Sequence, residues 1–333
     1  MRSIKFILKD ILPIIPLIFF SFGEIFRSDI FIVIAFILIV PFLLIYVSEY
    51  GVNKSLLTFT VLVFIGSLLN LFVTLNGIGG TILFLTNICL SLYCLTHIKI
   101  AKYVAIIVLC YNFQFLCKNI FIDGTNPNHI YEQIGLSRNY PGMLLILWSC
   151  FWGFCKYLTE GKVSIVVPIL SFILAFFLEG RSSLGILLFM SILSLCLRKK
   201  SSMFLLPLIG GGLMVAYWDV VLDIYSLTSF SENSLETSRY EIWRAYFEAL
   251  DLISLLGGLE LSEVPIIRSY DNNPHNAILN YHYRMGLLGV IALLSLIFKS
   301  VTRYITASAS IPLLYLLCII ARFMFDACIY STY

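Results

Sequence analysis

The stretch Asn272–Phe298, NNPHNAILNYHYRMGLLGVIALLSLIF, passes from a polar, proline-stopped turn directly into a long apolar run. From Ala277 to Phe298 the run holds one formally charged residue, Arg284. Wound as a helix, such a run covers roughly the 30 Å hydrocarbon core of a bilayer. Ten further runs of the same character occur at approximately 7–23, 30–47, 56–75, 78–95, 101–117, 141–158, 163–178, 182–197, 203–220 and 304–322. The first has Arg2, Lys5 and Lys9 before it and Arg27 after it, without a small-residue cleavage pattern, so it reads as a first anchor.

Composition points the same way. Of 333 residues, 60% are hydrophobic and 12% are charged. Soluble domains carry roughly twice that charge. With a mean hydropathy of +0.95, the chain has more apolar surface than a water-soluble fold of its size can hide. The expected architecture is all-α: a polytopic transmembrane helical bundle of about 11–12 spans. It is a single membrane-embedded domain over residues 1–333, with a long outer (periplasmic) loop at about 221–276. The nine cysteines lie in or beside apolar runs without metal-ligand spacing, and read as buried thiols.

Lys and Arg placement sets the orientation. With the N-terminus in the cytoplasm, thirteen basic residues fall inside and nine outside. Ten of the thirteen are Lys, whereas eight of the nine are Arg. Topology needs only positive charge, but a guanidinium also offers a planar fork suited to phosphate and carboxylate oxygens. An arginine-dominated outer face therefore points to an anionic ligand there, or to pairing with the outer acids. The inner loops hold only Asp10, Glu49 and Glu160 as acids.

Two outer segments exceed simple connections, 118–140 and 221–276. Within the second, Ile242, Tyr246, Ala249 and Leu252–Ile253 recur at helical spacing, which predicts amphipathic helix over the membrane mouth. A short re-entrant or interfacial segment fits within 245–260. The glycines 210–212 lie in an apolar run and read as packing or kink residues. No HExxH, GxSxG or metal-holding DxD motif is present, which argues against a cytoplasmic site using sugar nucleotides.

Four outer features remain: Ser137-Arg138-Asn139-Tyr140-Pro141-Gly142; Glu179-Gly180-Arg181-Ser182-Ser183; Arg239 with Trp243 and Arg244; and Asn273-Pro274-His275-Asn276. In the last, Pro274 ends the loop and Asn276 can cap the following helix, which sets His275 at the mouth of a span. Gly286 and Gly289 would let that helix approach a neighbour closely. Charges in or beside spans mark function unless they are structural pairs, as Glu179–Arg181 or Arg322–Asp326 would be.

His275-Asn276, nine further residues, then Gly286 and Gly289 resemble the signature of the O-antigen ligase and polymerase superfamily. SRNYPG, GRSSL and the R-x3-W segment extend the resemblance over about residues 130–300. It implies glycosyl transfer without a metal or other cofactor on the periplasmic face of a bacterial inner membrane. Donor and acceptor would be glycans carried on polyprenyl diphosphate, and no nucleic acid would take part. The resemblance implies His275, Arg181, Arg239 and Glu179 as catalytic residues. Arg138, Arg284, Asn276, Arg244 and Arg322 would bind substrate. A repeat-unit polymerase, working beside a flippase and a chain-length regulator, is the first reading. A ligase transferring glycan to lipid A core is the second, and a polysaccharide transporter the third. The orientation is open to test: a reporter active only outside the cytoplasm should work when fused after Ser269 and fail when fused after Lys200. The reverse pattern would overturn it.

Overall fold

The computed structural model describes residues 14–26, 29–51, 54–74, 94, 97–125, 140–178, 181–198, 239–270 and 272–325. Among these the chain is helical, with no strand. The helices are α1 (Ile14–Phe26), α2 (Asp29–Tyr50), α3 (Lys54–Val73), α4 (Ile98–Cys117), α5 (Tyr140–Glu160), α6 (Val166–Phe177), α7 (Arg181–Arg198), α8 (Arg239–Glu248), α9 (Leu252–Gly257), α10 (Pro265–Arg268), α11 (Ala277–Thr306) and α12 (Ser310–Phe325). Nine of the eleven expected runs fall on described helices, the first from Ile14 onward and the last divided by a break at 307–309; 78–95, apart from the lone helical Cys94, and 203–220 lie outside the described residues, as do the glycines 210–212. Three helices are long and apolar enough to cross a membrane: Ile98–Ile122, which adds a π-turn to α4, Tyr140–Glu160 and Ala277–Thr306. Phe64, Ile65, Leu68 and Phe72 stand exposed along α3, a surface that suits lipid and not water.

One boundary differs from expectation. Lys299 and Arg303 were expected in a loop between runs, yet α11 continues through them to Thr306. Arg303 stands in the last turn, where a cation faces the negative end of the helix dipole and favours the extension. Of the nine cysteines, seven are described; none of these is in a disulfide, and five are buried.

The chain divides into two compact units, each assembled from separated stretches. Unit 1 comprises residues 1–104, 238–307 and 323–333; unit 2 comprises 105–237 and 308–322.

Unit 1 is organised by α3 against α11. Phe59, Val63, Tyr281, Met285 and Ala292 form their shared apolar core. Gly66 makes the approach close, because any Cβ there would run into the carbonyl oxygen of Met285. Gly286 was expected only as a packing glycine, but it interrupts α11, with φ 60° and ψ −169°. That combination of angles is open to glycine and would strain an ordinary residue by about 1–3 kcal/mol. A Cβ at Gly286 would also meet the carbonyl oxygen of Leu256 in α9. Beside this interruption the carbonyl of Tyr283 has a side-chain partner. Asn70, wholly buried in α3, donates its Nδ2 to Tyr283 O and to Gly257 O, both at 2.6 Å. Thr74 Oγ1 donates to Asn70 Oδ1 at 2.9 Å, which fixes the amide's orientation.

In unit 2, α5, α6 and α7 pack together. Ser149 and Ser171 share a hydrogen bond of 2.7 Å between α5 and α6, and Gly153 of α5 makes room for the Tyr315 ring of α12. Pro141 stands in the first turn of α5, where its missing N–H costs nothing.

Gly66→Leu should lower the thermal midpoint of detergent-solubilised protein by several degrees. Gly185→Ala, whose Cβ meets open space, should leave it unchanged or slightly raised. Equal midpoints for both variants would sink the close-approach account.

Candidate functional site

The segment 239–279 of unit 1 builds its own small core. Ile242 and Tyr246 of α8 pack with Leu259, Leu261, Val264, Ile267 and Leu279. The expected amphipathic helix is therefore present at Arg239–Glu248. Its apolar stripe, however, does not continue to Leu252–Ile253, which are 73% and 66% exposed. The cause is a helix restart at Asp251. Its carboxylate accepts from Ser254 N at 2.7 Å, and Ser254 Oγ accepts from Asp251 N at 2.8 Å. This reciprocal capping box turns α9 out of line with α8.

Tyr246 ties this core to α11. Its hydroxyl lies 2.7 Å from His282 Nδ1, and His282 Nε2 lies 2.8 Å from Leu255 O. A carbonyl only accepts, so Nε2 carries the ring proton and the tyrosine hydroxyl donates to Nδ1. Burial raises the Tyr246 phenol far above its ordinary pKa, which keeps the donor neutral.

His275 lies at the junction of this core with α11. It is half-buried, with φ +48°, a region that non-glycine residues seldom occupy. Three contacts fix the turn around it. Asn273 Oδ1 accepts from His275 N at 2.8 Å, the Tyr270 ring meets the imidazole edge-on at 5.8 Å, and Trp243 Nε1 donates to Pro274 O at 3.1 Å. Asn276 then caps α11, accepting from Ile278 N at 2.8 Å and Leu279 N at 3.3 Å. Its Nδ2 donates to Met324 O at 3.5 Å. With both ends of the amide engaged and the residue 5% exposed, Asn276 positions the turn.

The arginines of this unit differ in setting. Arg239 is half-buried one turn from Trp243 on α8, so helical spacing puts it on the face that meets the His275 turn. Arg244 points instead to solvent, with Nε 2.7 Å from Glu248 Oε1, and that carboxylate raises its pKa. Arg284 is partly buried on α11, its guanidinium 5.7 Å from the Tyr283 ring centroid.

In unit 2, Arg181 opens α7. Ser182 Oγ accepts from Nη1 of the fully buried Arg322 at 2.5 Å. Ser183 faces Gly142 of α5 so closely that a Cβ on the glycine would collide with its hydroxyl. Arg138, Glu179 and Asp326 lie outside the described residues.

The expected residues thus gather in two places: His275, Asn276 and Arg239 in unit 1, and Arg322 with the Arg181–Ser183 turn in unit 2. The sequence marked Tyr246 only as part of an apolar stripe and singled out none of Asn70, Tyr270 and His282. For Asn70 and His282 a signal existed, since a polar side chain within an apolar run requires a partner. Among the described residues no three His, Cys, Asp or Glu side chains gather as a metal set. Comparison with protein-family models, curated proteins and solved structures finds no match.

The Asp251 cap has a pH signature. Its bonds to Ser254 hold the carboxyl below the usual range, so the folded form is favoured above the ordinary carboxylate pKa. That contribution is lost as pH falls through the depressed value. The thermal midpoint of detergent-solubilised protein should step down as pH falls below about 4. Asp251→Asn, which still caps but does not titrate, should lack the step. A step of equal size in both proteins would refute the assignment.

Proposed function

We propose that the protein polymerises oligosaccharide repeat units carried on polyprenyl diphosphate, on the periplasmic face of a bacterial inner membrane. Its frame is a polytopic bundle of about 11–12 spans. One observation carries this reading. The four segments that bear the family resemblance meet in pairs: R-x3-W docks on the Pro274-His275-Asn276 turn through Trp243, and Tyr-Pro-Gly at 140–142 abuts Arg-Ser-Ser at 181–183. Segments separated by some thirty to forty residues have no local reason to meet.

The chemistry follows from the groups present. An acceptor sugar hydroxyl attacks the donor's anomeric carbon, forming the new glycosidic C–O bond. The C–O bond to phosphate breaks, and polyprenyl diphosphate leaves with its electron pair. His275 takes the hydroxyl proton as general base, and its strained turn supports that role, since unusual backbone geometry persists where surrounding contacts enforce it. Arg239 and Arg284 stabilise the charge that develops on the diphosphate. The role of Arg181 rests on the resemblance alone, whereas Arg322, expected to bind substrate, is fully buried and donates to Ser182, which holds the start of α7.

Transport is the weaker reading. Transporters use interrupted helices to line a substrate path. Here the interruption at Gly286 is occupied by protein, with Leu256 O against the glycine and Asn70 on Tyr283 O.

In cells lacking the gene, normally inserted His275→Ala or Arg239→Ala should restore long polysaccharide chains about 100-fold less efficiently than wild type, leaving core capped by single repeat units. Arg181→Ala tests unit 2 separately. Full-length banding from both His275→Ala and Arg239→Ala would sink the proposal. Long polymer stranded on polyprenyl diphosphate would instead identify a ligase.

A further inference from the structure

The segment Leu252–Leu259, LISLLGGL, contains no charged residue and is bounded by Asp251 and Glu260. We propose that it is a re-entrant segment seated among lipid acyl chains, with Leu252, Ile253 and Leu256 against the hydrocarbon. The inference concerns a lipid contact and stands whichever reaction the protein performs.

Depth is the first argument. Gly257 of α9 packs against Val73 and Leu69 in the last turn of α3, and Leu256 O abuts Gly286 of α11. Gly286 lies nine residues beyond Ala277, the start of α11, and so about 13 Å along the helix axis. The segment therefore descends from the outer end of α3 to the interior of α11, an apolar helix long enough to cross a membrane.

The second argument is the treatment of its backbone. In water, the carbonyls of so short a helix would be hydrated. Within a bilayer, irregular backbone persists only where protein satisfies it. Here Leu255 O accepts from His282 and Gly257 O from Asn70, while Gly258 N donates to Ser254 O at 2.8 Å. Burying two polar side chains within apolar helices is costly unless they meet groups otherwise left without partners. That need explains why Asn70 and His282 stand within the apolar helices α3 and α11.

The third argument is the exposed face. Leu252 is 73% exposed, Ile253 66% and Leu256 45%, with Leu255 also exposed. This face continues into the exposed apolar side of α3, where Phe72 is 87% exposed. One belt of hydrocarbon covers both.

The test uses the full chain in phospholipid vesicles, with a fluorescent amino acid at position 253 and, separately, at 240 on α8. Nitroxides attached to the upper acyl chain should quench position 253 several-fold more than aqueous iodide does, and position 240 should show the reverse order. Strong iodide quenching at 253 without nitroxide quenching would overturn the proposal, as would quenching by neither agent, which means a protein cover. A second measurement covers a label that perturbs folding: a photoreactive diazirine residue at 252, irradiated in native membranes, should attach to phospholipid. Attachment to polypeptide alone, from a second copy or another protein, would overturn the inference.

Discussion

A helix interruption within a long apolar helix brings backbone carbonyls to a packed interface, and unit 1 is arranged around giving them partners. Gly286 leaves α11 with a backbone conformation that glycine alone adopts without strain. Asn70 answers from α3, placing one carboxamide on Tyr283 O and Gly257 O together. An unsatisfied buried carbonyl costs about 1–3 kcal/mol, so a single side chain holding two of them binds three elements with one group. Gly66 allows it, because the two helix backbones must lie close for a short side chain to reach.

From that junction the rest of unit 1 follows. With α9 held by its carbonyls, Leu255 O presents itself to His282, and His282 in turn orients Tyr246 of α8. Tyr246 and Ile242 close the small core of the segment 239–279, and α8 thereby brings Trp243 onto Pro274 O. The turn that carries His275 is thus set by contacts leading back to the α3–α11 interface. A histidine at positive φ needs such support, because an isolated turn would relax to an ordinary conformation.

Several parts of this were legible in the residues. Asn276 after Pro274 fixed a helix start, and α11 begins there. Helical spacing of Ile242 and Tyr246 located a buried face on the segment 239–279. The same spacing misled at Leu252–Ile253, because periodicity assumes one continuous helix and the Asp251–Ser254 box begins another. Gly286 could be marked as a close-packing residue, but its φ of 60° depends on α9 arriving beside it. Arg239 and Arg244 looked equivalent as outer arginines; the face each occupies, and Glu248 one turn from Arg244, separate them.

The sequence alone determined that the chain is helical and has lipid as part of its solvent, because long apolar runs with few charges permit no other way to satisfy the backbone. It also determined where α11 starts, since a proline stop and an asparagine cap act within a few residues of chain. Tertiary structure decided which polar groups meet. Asn70 and Tyr283 are separated by 213 positions, and Tyr246 and His282 by 36. No periodicity relates such pairs. They are joined by the close approach of helices at Gly66 and Gly286, a property of two surfaces together and of neither segment alone.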